Sequence, residues 1–318
     1  MKKIIATVGP SLLHKTPLKE VHNDNMIYRI NGAHGTIKNI ESYIQEIKKQ
    51  IPEAKILMDL PGNKVRTANF EYGFIEIEEG KTFDIYFYQF NYKDFFKHFK
   101  VGDIVLANDS IFKFEVKNID YELAKVTFLS YSTGKLLNNK GFHIRGVSKT
   151  LPFLFDKDKE LINLANKYNL DYVGLSFVRD EKDIQEAKNL IKNSLIIAKV
   201  ETLSAVENLD TILNEVEYIL IDRGDLSTDV GILNVPMYQS KIIQKALFAN
   251  KKIFLATQFL KSMENNPIPT FPEVIDLYNT LNSGVFGVQL SEETAIGKYP
   301  VECVNVILDT IQKVWERK

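Results

Sequence analysis

The chain has 318 residues, with 40 Lys and Arg against 41 Asp and Glu, a formal net charge of −1. Hydrophobic residues make up 45% and charged residues 25%, which excludes a disordered, collagen-like or coiled-coil chain, and the even charge balance argues against a nucleic-acid partner. The single cysteine, Cys303, excludes an internal disulfide and a cysteine-rich zinc site, and fits a reducing compartment.

Met1-Lys2-Lys3 followed by Ile4–Val8 imitates the start of a secretory leader. Gly9-Pro10 cuts the apolar run and no small-residue cleavage pattern follows, so the segment reads as a first β-strand. No apolar run approaches the ~18 residues of a membrane span, and the expectation is a soluble, cytoplasmic protein with no membrane partner. Taken as Lys3–Val8, that strand is followed by β-branched runs at Met26–Ile30, Lys55–Asp59, Tyr172–Phe177, Leu195–Val200, Tyr218–Ile221, Lys252–Ala256 and Val285–Leu290. Near-continuous apolar runs of this kind suit parallel strands buried on both faces. Helix-period segments lie between them, at Ile40–Lys49, Lys157–Tyr168, Glu181–Ile191, Met237–Ala249 and Phe271–Asn282. The rhythm breaks over residues 68–148, which are rich in aromatics and turn signals; Phe83–Phe90, Asp103–Leu106, Ile111–Val116 and Leu123–Leu129 read there as antiparallel strands. The prediction is a (β/α)8 TIM barrel formed by 1–67 and 149–318, with a small β-rich domain, 68–148, inserted after strand three. An open doubly wound sheet is the competing architecture. Eight βα units outside the insertion fit the ~250 residues of a barrel and favour it.

Barrels gather function at the carboxyl ends of their strands. Arg29, Asn31 and His34 stand after strand two, and Asp59, Lys64 and Arg66 after strand three. Lys199 and Glu201 close strand five, Arg223, Gly224 and Asp225 follow strand six, Thr257 follows strand seven and Ser291 strand eight. Lys199 and Glu201, two apart on a strand, share a face; they read as a buried ion pair or as a working pair. Asp225 reads as a helix cap after a tight turn or as a ligand. Together Glu201 and Asp225 offer two hard oxygens of the kind magnesium takes. Arg29, Arg66, Arg223 and Lys199 would surround them with positive charge, and a metal with fixed cations is what phosphoryl transfer needs. GxxxxGK[ST] and GxGxxG are absent, so a nucleotide would be held in another way. The five histidines are scattered without metal-ligand spacing, and the charge clusters at 157–160 and 179–182 read as solvated helix surface.

Several segments resemble pyruvate kinases: Thr7-Val8-Gly9-Pro10-Ser11, Arg29-Ile30-Asn31, Val65-Arg66-Thr67, Ser176-Phe177-Val178-Arg179, Lys199-Val200-Glu201 and Arg223-Gly224-Asp225-Leu226. The most specific are Ala256-Thr257-Gln258 with Lys261-Ser262-Met263, and Leu290-Ser291-Glu292-Glu293-Thr294-Ala295 with Gly297-Lys298-Tyr299-Pro300. They occur in family order along nearly the whole chain. The resemblance implies a barrel with an inserted β domain, and transfer of phosphate from phosphoenolpyruvate to ADP, giving pyruvate and ATP. It implies that Lys199 stabilises the transferring phosphoryl group, that Glu201 and Asp225 hold Mg2+ or Mn2+, that Thr257 sits beside the enolate and that Arg29 contacts phosphate. Asn31, His34, Arg66 and the turn from Thr7 to Pro10 fall on the nucleotide side. Asp59, Arg223, Gly224 and Ser291 join the substrate and nucleotide candidates, and Asp109 falls near an aspartate that the inserted domain offers to the site.

The sequence also departs from the family. The family's Arg-Leu-Asn-Phe-Ser-His is Arg29-Ile30-Asn31-Gly32-Ala33-His34 here, its Asp-Thr-Lys-Gly-Pro-Glu is Asp59-Leu60-Pro61-Gly62-Asn63-Lys64, and its Thr-Arg-Ala-Glu is Thr270-Phe271-Pro272-Glu273. Ala33 and Leu60 lack the hydroxyls that help hold the family's monovalent cation, and Lys64 stands where potassium-dependent members have glutamate. Lys64 is therefore read as a built-in substitute for the cation, with a surface loop lysine beside a broken cation site as the alternative, and potassium as not required. No aromatic follows His34 closely on the adenine side, where Ile37, Lys38 and Asn39 stand. The family's further domain after the barrel has no counterpart before Lys318, so sugar-phosphate activation is not expected and any homo-oligomer would form by other contacts. Three readings stand at this point. One is a pyruvate kinase-type phosphotransferase using ADP or another acceptor, one a lyase or aldolase on a pyruvate-type substrate, and one a non-catalytic relative.

Overall fold

The computed structural model describes residues 2–108, 111–144 and 150–316, so Asp109 lies outside the described residues. The chain opens with β1 (Lys3–Thr7), β2 (Met26–Asn31), α1 (Ile37–Gln50) and β3 (Ile56–Asp59). Next come β4 (Phe74–Ile77), β5 (Thr82–Tyr86), β6 (Ile104–Ala107), β7 (Phe112–Asp120), β8 (Lys125–Ser130), β9 (Gly134–Leu137) and β10 (Phe142–Ile144). The rhythm then returns with α2 (Asp156–Tyr168), β11 (Tyr172–Leu175), α3 (Glu181–Lys188), β12 (Leu195–Val200), α4 (Leu203–Glu207), α5 (Leu209–Glu215) and β13 (Tyr218–Asp222). The chain continues through α6 (Arg223–Val230), α7 (Val235–Phe248), β14 (Lys252–Ala256), α8 (Phe271–Asn282), β15 (Gly287–Leu290), α9 (Glu292–Ala295) and α10 (Pro300–Trp315). Two compact units result, one of Met1–Gly62 with Asp156–Lys318 and one of Asn63–Phe155.

The first unit is the expected (β/α)8 barrel. Its eight strands close in the order β1-β15-β14-β13-β12-β11-β3-β2, and every pairing is parallel. Ile5, Ile27, Leu57, Ile197, Tyr218, Leu220, Phe254 and Ala256 form one buried cluster drawn from six strands, which places them inside the barrel. Helix starts follow local chemistry. Thr36 accepts from Asn39 N while Asn39 returns the bond to Thr36 N at the head of α1. Thr270 and Glu273 make the equivalent box at the head of α8, with a proline in its first turn.

The second unit holds an antiparallel sheet of order β10-β6-β7-β8-β5 and a separate β4-β9 pair. Its core is aromatic: Phe90, Phe95, Phe99, Phe114, Phe128 and Phe142 are buried together, with edge contacts such as Phe90 on Phe142 at 5.1 Å between centroids. The run 83–90 does not stay extended. β5 stops at Tyr86, and Phe87–Gln89 makes a 3-10 turn in which Gln89 Oε1 accepts from Tyr86 N at 2.9 Å. That turn lets Phe87 stack on Phe96 at 3.9 Å. Among the described residues, no helix is long and apolar enough to cross a membrane.

Candidate active site

Strand alternation delivers the site. Side chains two residues apart on a strand share a face. The interior residues Ile5, Ile27, Leu57, Ile197 and Leu220 are therefore followed, two positions on, by Thr7, Arg29, Asp59, Lys199 and Asp222 at the carboxyl ends of their strands. Glu201 follows Lys199 by the same step. Gly174 on β11 makes room, because a Cβ there would stand 2.7 Å from Asp59 Oδ1.

Arg29 is buried and fully engaged. Its Nε donates to Asp59 Oδ2 at 2.7 Å, a second nitrogen meets the same oxygen at 2.7 Å, and Nη1 donates to Thr7 Oγ1 at 2.8 Å. Lys199 is 5% exposed. Its Nζ donates to Ser176 Oγ at 2.9 Å and lies 3.3, 3.6 and 3.8 Å from carboxylate oxygens of Glu201, Asp59 and Asp222. Burial works against its ammonium, but Asp59, Glu201 and Asp222 outweigh that and hold the pKa above the ordinary lysine value.

Glu201 is 1% exposed. Its Oε1 accepts from Phe177 N at 2.7 Å, whereas among the described residues its buried Oε2 accepts no hydrogen bond and is the oxygen that faces Lys199 Nζ at 3.3 Å. Burial first, then the neighbouring charges of Asp225 and Asp222, push its carboxyl up to about 8, against the opposing pull of Lys199. One oxygen each from Glu201, Asp222 and Asp225 lies within 4.8 Å of the others. Asp59, Glu201, Asp222 and Asp225 thus place four carboxyl groups around two cations, Arg29 and Lys199. A buried carboxyl oxygen that accepts no hydrogen bond and an excess of carboxyl groups over cations fit a divalent cation with oxygen ligands.

Thr257 closes the site on the β14 side. Its φ is +82°, followed by +60° at Gln258, a backbone state that a β-branched residue rarely adopts. Thr257 Oγ1 donates to Asp222 Oδ1 at 2.7 Å, and Arg223 Nε donates to the Thr257 carbonyl at 3.2 Å. Gly224 lets the two elements approach, since a Cβ there would meet Thr257 Cγ2 at 3.1 Å. Arg223 also pairs with Asp276 at 2.8 Å and stacks over Phe259 at 4.2 Å. It straps the loop after β14.

Beside this cluster lies a cavity of about 530 Å³ lined by Thr7, Val8, Gly9, Pro10, Arg29, Asn31, His34, Tyr43, Ser291 and neighbours. Asn31 Oδ1 is turned back to accept from Ala33 N at 3.1 Å, and Ser291 N donates to Glu293 Oε2 at 2.7 Å. The structure thus brings Arg29, Asp59, Lys199, Glu201, Arg223, Gly224, Asp225 and Thr257 to one end of the barrel, with Asn31, His34 and Ser291 around the adjoining cavity. Lys64 and Arg66 belong to the second unit, where Arg66 donates to the Asn139 carbonyl at 3.1 Å. Sequence reasoning overlooked two residues. Asp222 was signalled by its place two after Leu220, and Tyr43 by its place on α1 one turn beyond Asn39.

The family described as "Pyruvate kinase, barrel domain" matches residues 1–304. The chain is 33% identical to a pyruvate kinase of Sporosarcina psychrophila over 96% of its own length, and 30% identical to one of Staphylococcus epidermidis over 96%. It is 32% identical to a pyruvate kinase of Thermotoga maritima over 99%. It spans 55% of the first two relatives and 71% of the third. The match across the barrel, together with the buried lysine and carboxylates at the strand ends, shows that this chain belongs to the pyruvate kinase family.

Proposed function

We propose that the chain is a divalent-metal-dependent phosphotransferase that moves the phosphoryl group of phosphoenolpyruvate to ADP, giving pyruvate and ATP. The observation that carries this reading is the buried Lys199 ammonium, 3.3 Å from Glu201 Oε2, with Asp222 and Asp225 grouped beside Glu201. Glu201 and Asp225 would hold Mg2+, or Mn2+ in its place. When bound, the ion would draw charge from the phosphoryl and enolate oxygens. Lys199 adds a fixed positive charge for the phosphoryl group in transit, and Arg29 orients its oxygens. The phosphorus–oxygen bond to the enol breaks, one to the terminal ADP oxygen forms, and the enolate carbon takes a proton on the side that Thr257 Oγ1 occupies.

The nucleotide reading rests on the cavity beside the cluster, whose size lies in the range of small-molecule sites. Ile40 and Tyr43 give it an apolar wall and an aromatic face, while Thr7, Asn31, His34 and Ser291 supply polar groups. Tyr43 takes the part of the aromatic that does not follow His34 directly. Potassium independence remains part of the reading. Ala33 and Leu60 offer no side-chain oxygen, and Asp59 Oδ2 is already held by Arg29.

Pyruvate production would be followed with phosphoenolpyruvate plus ADP, other nucleoside diphosphates, or no nucleotide. Pyruvate formed only with ADP, and matched by ATP, is the expected result. Equal pyruvate without any nucleotide would replace this reading with a hydrolytic or lyase activity.

A further inference from the structure

As a helix cap and as the acceptor for Thr257, Asp222 does not need to be a carboxylate; beyond those roles its charge faces Lys199. Its Oδ1 accepts from Thr257 Oγ1 at 2.7 Å and, more distantly, from Gly224 N at 3.2 Å and Asp225 N at 3.5 Å at the head of α6. An asparagine or serine would serve as that cap. Among the described residues its Oδ2 accepts no hydrogen bond and is met by Lys199 Nζ at 3.8 Å. Two residues after Leu220, this second oxygen is carried into the barrel mouth, beside Glu201 and Asp225.

We propose that Asp222 is a third carboxylate ligand of the cation held by Glu201 and Asp225, so that this chain takes up its metal before substrate arrives. The inference rests on the metal site of the proposed function and extends it. Oxygens on a common Mg2+ at about 2.1 Å stand about 3 Å apart when adjacent and about 4.2 Å when opposite. The three carboxylate oxygens already lie within 4.8 Å of one another, so side-chain rotations of less than an ångström close the set. The Oε2 of Glu201 supplies a second mark of the site: it is buried and, among the described residues, accepts no hydrogen bond, meeting the Lys199 ammonium only at ion-pair distance, 3.3 Å. The charge agrees as well, since a divalent ion offsets the excess of carboxyl groups over Arg29 and Lys199. Three protein oxygens leave about three of six positions for substrate oxygens and water. Oδ1 keeps its bond to Thr257 meanwhile, so loading the metal and placing the Thr257 hydroxyl are linked through one side chain.

The test is Mn2+ binding to the metal-stripped full chain without substrate, read by electron paramagnetic resonance. Wild type, Asp222→Asn and Asp222→Ala would be compared, the asparagine variant keeping both the cap and an acceptor for Thr257. We expect wild-type binding and a loss of at least about tenfold in both variants. Water-proton relaxation on wild-type Mn2+ needs no variant and should count about three exchangeable waters rather than four. Unchanged affinity in Asp222→Asn, or four waters on the wild-type ion, overturns the third ligand and leaves the Glu201–Asp225 site standing. Binding that appears only after phosphoenolpyruvate is added also overturns the proposal while sparing that site. No binding in either condition removes the metal reading itself.

Discussion

Replacing Lys199 by methionine tests the centre of the site. The ammonium lies 3.3, 3.6 and 3.8 Å from oxygens of Glu201, Asp59 and Asp222 in a side chain only 5% exposed. With an effective dielectric of about 20, each contact corresponds to an attraction of about 4–5 kcal/mol, offset by the cost of keeping these charges from water. Removing one partner of such a buried set costs about 3–5 kcal/mol, because the remaining charges stay buried without compensation. That is a large part of a typical stability of about 5–15 kcal/mol. Lys199→Met should therefore lower the denaturation midpoint of the metal-free protein markedly. Saturating Mg2+ should narrow the gap, since loss of the neighbouring Lys199 charge tightens cation binding by the variant and each tenfold in affinity adds about 1.4 kcal/mol to its folded state. Turnover should fall by roughly 10³-fold or more with metal present, as expected when a fixed charge on the transition state is lost. Urea titrations with EDTA and with Mg2+, run beside a coupled pyruvate assay, read all three effects. A variant as stable as wild type in EDTA, turning over at a near wild-type rate, would refute both the electrostatic account and the assignment of Lys199.

In the metal-free protein the Glu201 carboxyl lies at about 8, above its unfolded value, so its stabilising contribution is complete below about pH 4.5 and fades as pH rises through 8. Metal uptake near pH 7 should then release close to one proton and almost none above pH 9, as read by calorimetry in buffers of different ionisation enthalpy; uptake without proton release at pH 7 would contradict the burial argument. Glu273 accepts from Ser262 N, Ser262 Oγ, Thr270 N and Thr270 Oγ1 at 2.5–2.8 Å. Burial raises its pKa, but these bonds outweigh that and lower it. Its contribution is therefore present above the unfolded value and lost as pH falls through the folded one. Glu273→Ala should cost about 1–3 kcal/mol at neutral pH and less in acid, as followed by thermal melts across pH. Tyr43→Ala should raise the KM for ADP by about fivefold or more, the order of an aromatic stacking contact, and leave that for phosphoenolpyruvate within twofold. With every small monovalent cation replaced by tetramethylammonium, activity should persist and Lys64→Glu should damage it; a many-fold rise on adding potassium to wild type would show that Lys64 does not stand in for the cation.

Much of the barrel could be read because its physics is periodic. Runs such as Leu195–Val200 and Lys252–Ala256 are buried throughout and bounded by turns, so their position along the chain is written in composition. Lys199 and Glu201 were legible for the same reason, since a spacing of two on a strand fixes a shared face. Asp222 was not, because the β-branched run Tyr218–Ile221 ends one residue before it and a polar turn follows, although β13 runs on to include it. Ending that strand one residue early removes Asp222 from the inward face. Tyr43 escaped for a different reason. An aromatic was sought within a few residues of His34, where extended chain would place it, but a helix brings round a residue one turn further on. Arg223 illustrates the opposite case, in which a cation expected to face phosphate is bound to the Thr257 carbonyl and to Asp276. In the second unit, β4, β9 and β10 span four, four and three residues. Such pieces carry too little periodicity to be read before their partners are known.

Backbone strain at two positions argues that the carboxylate cluster is built for a reacting partner rather than for stability. Phe177 has φ +57° and aims its N–H at Glu201 Oε1, while Thr257 has φ +82° and aims its hydroxyl at Asp222 Oδ1. Conformations of this kind cost about 1–3 kcal/mol each and persist only where the surroundings over-determine them. At Thr257 the constraint is explicit: a hydrogen bond from its own side chain, a bond to its carbonyl from Arg223, and the close approach allowed by Gly224. Relaxing either residue would remove that cost, and an apolar cluster would fill the barrel mouth without excess charge. The strain instead fixes one donor on Glu201 and one on Asp222, and leaves Glu201 Oε2 and Asp222 Oδ2 turned towards the same space. Each carboxylate then has one oxygen held by a hydrogen bond and one that meets the protein only through the Lys199 ammonium, at 3.3 and 3.8 Å, an arrangement that a second cation would complete.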